Sequence, residues 1–208
     1  MKRQQAGFTL VEIAIVLVII GLLLGGILKG QEMINSGKIK SMINDMKAVS
    51  IAFYSYQDRY RAIPGDDSSA ATRFTGAVSG NGNGVISNVF SNNAAPGPAN
   101  ESNSYWQHTR MAGFMSGVAT AGAALPPTSS VGGLVGIQNS AYGVSGAVVC
   151  ASNVPMNMAQ SMDIQLDDGA ATTGIFRAGA GSVLATTAAG TAYNIATPTT
   201  GVTVCQQI

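Results

Sequence analysis

Few side chains in this 208-residue sequence are of a type and spacing that do chemistry. His108 is the single histidine, and the two cysteines, Cys150 and Cys205, both fall in the C-terminal third. There is no CxxC pair and no Cys/His cluster, so one chain cannot assemble the usual four ligands of a structural zinc site. No GxSxG elbow and no phosphate-binding glycine loop before a helix is present. A lone His108 without a local partner reads as a surface or capping group rather than a catalytic one. Asp163, Asp167 and Asp168 bunch just before Gly169, where a helix exit turn with a capping Asp and Gly explains them. The remaining group of chemical interest is Glu12, a carboxylate set inside a long apolar run.

That run, residues 8–28 (FTLVEIAIVLVIIGLLLGGIL), has about the 20 residues a helix needs to cross a bilayer. Glu12 is its only charge between Arg3 and Lys29. Lys2 and Arg3 precede it, so the positive-inside rule leaves the N-terminus cytoplasmic and carries everything after Lys29 outside. In that compartment Cys150 and Cys205 are expected to form one disulfide. Closing so long a loop stabilises a fold by about 4 kcal/mol in the chain-entropy account. A cleaved secretory signal would be shorter and end in an A-x-A site, which does not follow here. A plain anchor explains length and orientation but not Glu12, because an acid in hydrocarbon costs free energy and calls for a partner.

Beyond the membrane the helical period continues. Ile39, Met42, Ile43, Met46, Val49, Phe53 and Tyr60 recur at helical spacing, with Lys38, Lys40, Asp45, Lys47 and Asp58 between them. Ile63-Pro64-Gly65 then ends the helix, since the residue before proline avoids the helical region. One helix over about 8–61 is predicted, with no proline inside it. Residues 64–100 form a turn-dense connection around Gly80-Asn81-Gly82-Asn83-Gly84, which lacks the spaced acids of an EF-hand loop. Residues 104–117 read as a short helix anchored by Trp106, Met111 and Phe114. Short β-like runs follow at 131–137, 141–150, 174–178, 193–196 and 202–205. Between them 155–166 reads as a helix, with Asn153 as its cap and Pro155 at an early position.

The fold class expected is therefore α+β. A long N-terminal helix, transmembrane in its first half and amphipathic in its second, packs on a small antiparallel sheet. Domain limits fall at 1–7, 8–30, 31–62 and 63–208. Charged residues make up 10% and the formal net charge is +1, which provides no clustered basic face for nucleic acid.

Lys2-Arg3-Gln4-Gln5-Ala6-Gly7 followed by Phe8-Thr9-Leu10-Val11-Glu12-Ile13 closely resembles the class III signal of type IV prepilins and type II secretion pseudopilins. Weaker matches extend the likeness. Tyr60-Arg61-Ala62-Ile63-Pro64-Gly65-Asp66-Asp67 resembles the "YxALPGD" segment of such proteins, and residues 163–169 resemble their "IDxxxDDG" segment. The resemblance implies cleavage after Gly7 by a prepilin peptidase on the cytoplasmic side and N-methylation at Phe8. It implies that Glu12 pairs with the terminal amine of a neighbouring subunit, and that the chain assembles on an inner-membrane platform into a filament of identical or related pilins. No enzymatic activity and no cofactor is expected. Asp163, Asp167 and Asp168 are candidate calcium ligands only through the resemblance, as C-terminal acids are in some major pseudopilins. Three readings stand open: a pilin in a surface pilus, a pseudopilin in a periplasmic pseudopilus, and a membrane-tethered binding protein. A C-terminal disulfide loop favours the first, and the absence of a helix-kinking proline favours the second.

Overall fold

The computed structural model describes residue 7 and residues 9–92, 94–120, 124–181, 190–194 and 196–208. The chain divides into two compact units, Met1–Lys38 and Ile39–Ile208. Eight elements follow in order: α1 (Leu10–Tyr60), α2 (Ala70–Arg73), α3 (Glu101–Met111), β1 (Val135–Ala141), β2 (Val144–Pro155), α4 (Met156–Leu166), β3 (Phe176–Gly179) and β4 (Gly201–Gln207). The architecture is α+β, with a long N-terminal apolar helix and a four-stranded antiparallel sheet.

In the first unit α1 buries nothing: every large hydrophobic side chain between Leu10 and Ile34 is exposed. In the second unit the same helix turns an apolar face to a core. Ile39, Met42, Ile43, Met46, Val49, Ala52, Phe53 and Tyr56 are buried there, at the 3-4-3 spacing that one helix face requires. Tyr60, expected on that face, is only half-buried; Ala52 and Tyr56 take its place. The helix closes through Arg61, whose φ of 53° lies in the left-handed region and whose N–H donates to the Gln57 carbonyl at 2.8 Å. This is the geometry of a helix C-terminal turn, built with arginine where glycine is usual.

The sheet runs in the order β1-β2-β4-β3, and each neighbouring pair is antiparallel. Alternation divides its two faces. Val135, Ile137, Val149, Ala151, Val202, Val204, Phe176 and Ala178 join the core that contains the buried face of α1 and Met158, Ala159 and Met162 of α4. On the other face Val148, Cys150 and Cys205 pack with Phe90, Tyr142 and Val144. Cys150 and Cys205 stand directly opposite one another on β2 and β4 and are joined by a disulfide. The bridge thus ties the central strand pair on the face away from α1.

Several sequence expectations shift. The run at 131–137 begins as a strand only at Val135, and 193–196 forms no strand among its described residues. Asn153 does not cap α4. It sits inside β2 with φ 56°, where the β2–β4 register slips between Ala151 and Val154, and Pro155 itself occupies the cap position. The helix expected at 104–117 instead spans Glu101–Met111. Trp106 is buried, Phe114 packs against the core from outside, and Met111 is only half-buried.

Candidate functional site

The first described residues of α1 form a reciprocal cap. Glu12 Oε2 accepts hydrogen bonds from the Thr9 backbone N–H and from the Thr9 hydroxyl, both at 2.8 Å. Thr9 Oγ1 accepts from the Glu12 N–H at 3.3 Å. Thr9-Leu10-Val11-Glu12 is therefore a capping box, in which residues N-cap and N3 satisfy each other's backbone donors. The T-x-x-E spacing carries this signal in the sequence. It matters because a helix starting in hydrocarbon has no water to satisfy its first N–H groups. Gly7 is exposed, and Phe8 lies outside the described residues. Glu12, Ile13, Ile15 and Val16 line an open surface pocket of about 370 Å³.

Residues 2–28 match the family model of the prokaryotic N-terminal methylation motif, the class III signal of type IV pilins and pseudopilins. No curated protein and no solved structure matches the chain. The motif supports a pilin-like or pseudopilin-like precursor, points to a structural subunit, and implies processing by a prepilin peptidase followed by assembly. α1 is long and apolar enough to cross a membrane, which fits insertion of that precursor.

The three C-terminal acids converge. Asp163, Asp167 and Asp168 each bring a carboxylate oxygen within 4.8 Å of the others. Their hydrogen bonds, however, define a turn. Asp163 accepts from Gly169 N–H at 2.9 Å and from the Tyr193 hydroxyl at 2.6 Å. Asp167 Oδ2 accepts from the N–H groups of Ile175 and Phe176, which starts β3. Asp168 accepts from Ala170 N–H and the Thr173 hydroxyl. Burial raises the Asp163 pKa, the Tyr193 and Gly169 bonds oppose the rise, and the neighbouring charges of Asp168 and Asp167 add to it. Calcium would meet three carboxylates already engaged in holding the α4–β3 connection.

Sequence reasoning missed a second constellation, at the junction between α1 and α3. His108 is not a surface or capping group but fully buried. Its Nδ1 accepts from the Gly65 N–H at 2.9 Å, and its Nε2 lies 2.7 Å from the Val78 carbonyl, so the ring is neutral with the proton on Nε2. Gly65 has φ 97°, and a Cβ there would meet the Glu101 carbonyl oxygen at 2.4 Å. Asp66 is buried and accepts from the N–H groups of Gly82 and Asn83 on one oxygen and Gly84 on the other, at 2.6–3.0 Å. Glu101, equally buried, accepts from Asn81 and Ser87 N–H, both at 2.9 Å. Asp67 accepts from the Tyr56 hydroxyl and pairs with Arg73. The Gly/Asn run is thus a cradle of backbone donors wrapped around buried carboxylates of its own chain.

Burial lowers the His108 pKa from 6.5, with Arg73 acting in the same direction and the Val78 bond and Asp67 charge opposing. A buried histidine that binds its proton more weakly folded than unfolded contributes stability that is complete above the unfolded pKa and lost as pH falls below it. The thermal unfolding midpoint should therefore be level above about pH 7 and fall from about pH 6.5 downward. In His108→Gln, which keeps a non-titrating acceptor, that slope should flatten. An unchanged slope in the variant, followed by circular dichroism, would place the pH sensitivity elsewhere.

Proposed function

We propose that this chain is a structural subunit of a type IV pilus, cleaved after Gly7 and N-methylated at Phe8. The observation that carries this is the methylation motif at 2–28, set on a helix whose large apolar side chains are exposed from Leu10 to Ile34. Such a surface must be covered by lipid and then, on assembly, by the same helices of other copies. The disulfide near the C-terminus supports a pilin. One specific observation favours the alternative, a pseudopilin of a type II secretion system: α1 runs from Leu10 to Tyr60 with no proline to kink it.

Glu12 has two roles open to it. Its carboxylate closes the capping box on Thr9, and in the assembled state it pairs with the methylated terminal amine of a neighbour. An acid and an amine that each cost free energy in lipid offset one another when paired, and removing one leaves the other buried and unpaired. Calcium has no required role in this scheme, and the precursor is held in the inner membrane until extraction by the assembly platform.

Mass spectrometry of assembled protein should find N-methyl-Phe8 at the terminus; an intact Met1 terminus would contradict the proposal. Substitutions at Glu12 separate its two roles. Glu12→Ala removes both cap and charge, whereas Glu12→Gln keeps a side chain that completes a capping box. Both variants should insert into membranes normally and yield few filaments. Full yield from Glu12→Gln would assign the acid to the cap alone.

A further inference from the structure

Beyond residue 62 each charged side chain is engaged within the chain. Beyond residue 62 there is no lysine. Arg73 pairs with Asp67, Arg110 donates to the carbonyls of Ser116, Val118 and Leu125, and Arg177 donates to those of Gly174 and Tyr142. The acids are likewise engaged: Glu12 by Thr9, Glu32 by Lys29, Asp58 by Arg61, and the remaining six as described above. Among the described residues Asp45 is the one carboxylate with no hydrogen bond or ion pair.

Asp45 is half-buried, and burial raises its pKa. It lines a cleft of about 210 Å³ with Val49, Trp106, Arg110, Met115 and Pro127 among its walls. Arg110, the cation in that cleft, lies over the Trp106 ring and holds backbone carbonyls rather than Asp45. Two of those carbonyls belong to Val118 and Leu125, residues that are 56% and 38% exposed. This side of the unit therefore presents an unpartnered acid in a cleft that mixes apolar walls with Ser116, Thr128 and the engaged Arg110.

The opposite side of α1 presents the complement. Lys47 lies two residues on from Asp45, about 200° around the helix, so the two cannot meet within one chain. Lys47 is exposed and has no ion pair among the described residues. Ile51 and Tyr54 continue its stripe at i+4 and i+7 and are 65% and 52% exposed. A cation beside the exposed Ile51 and Tyr54 on one side faces away from an unpartnered acid in a cleft on the other. Two unlike, complementary faces on opposite sides of one body make a heterologous contact, which propagates into an open helical array when rotation does not close it.

We infer that a second copy of this chain docks its Lys47–Ile51–Tyr54 stripe over the Asp45 cleft, with the Lys47 ammonium on the Asp45 carboxylate. This rests on the filament-subunit function proposed above and assigns the contact that sets register outside the membrane. Lys40 shares the Lys47 stripe two helical turns earlier and is exposed, so the pairing leaves a cation of the same face at the contact's edge.

Charge reversal in the full-length chain, co-expressed with its peptidase and assembly platform, tests it. D45K and K47E should each lower the yield of sheared filaments about tenfold, as like charges meet across the contact, and D45K/K47E should restore most of it. Because a reversed charge can disturb folding, D45C/K47C gives a second measurement: mild oxidation of intact filaments should produce a ladder of covalent oligomers. Wild-type yield from both single variants, or a double variant that stays deficient and no ladder from the cysteine pair, would overturn the contact. Absence of filaments from the wild-type chain would instead overturn the filament function beneath it.

Discussion

Between Leu10 and Ile34, α1 carries sixteen large apolar side chains and covers none of them with its own chain. Water cannot solvate that surface without cost, and a helix is one of the two backbone forms that hydrocarbon accepts, because it satisfies its own peptide groups. The Thr9–Glu12 capping box extends the same economy of donors to the helix start, where four N–H groups otherwise lack partners. Under the proposed function such a helix is covered twice, first by lipid and then by neighbours.

The second unit solves a different problem. It uses the same helix, now amphipathic, as one wall of a core whose other walls are a four-stranded sheet and α4. The Cys150–Cys205 bridge secures the two central strands on the far face. Buried carboxylates at positions 66, 67 and 101, with His108, then fasten the long connection between α1 and α3 by gathering backbone N–H groups around charge. The consequence is a unit whose ionised groups beyond α1 are engaged within the chain, while Asp45 and Lys47 of α1 have no ion pair among the described residues.

Much of this was legible in the sequence where physics is local. The apolar run and the lysine and arginine residues that flank it mark the exposed stretch of α1, and the spacing of Ile39, Met42, Ile43 and Met46 marks the helix face that meets the core. The β-like runs at 141–150 and 202–205 overlap β2 and β4, although the first also takes in the end of β1. What escaped was set by distance along the chain. His108 looked idle because its partners, Gly65 and Val78, lie 43 and 30 residues away. Gly80-Asn81-Gly82-Asn83-Gly84 looked like an ordinary turn because the Asp66 it encloses precedes it by a loop. Asn153 looked like a cap because its left-handed backbone is imposed by a slip in strand register, which only the pairing with β4 creates.

Immunogold electron microscopy with antibody raised against the second unit tests the central claim most directly: that the exposed helix is finally covered by copies of itself. Label is expected in rows along filaments, and both filaments and label should vanish when the gene is removed. Label scattered over the cell envelope, with the same filaments present or absent in both strains, would contradict it.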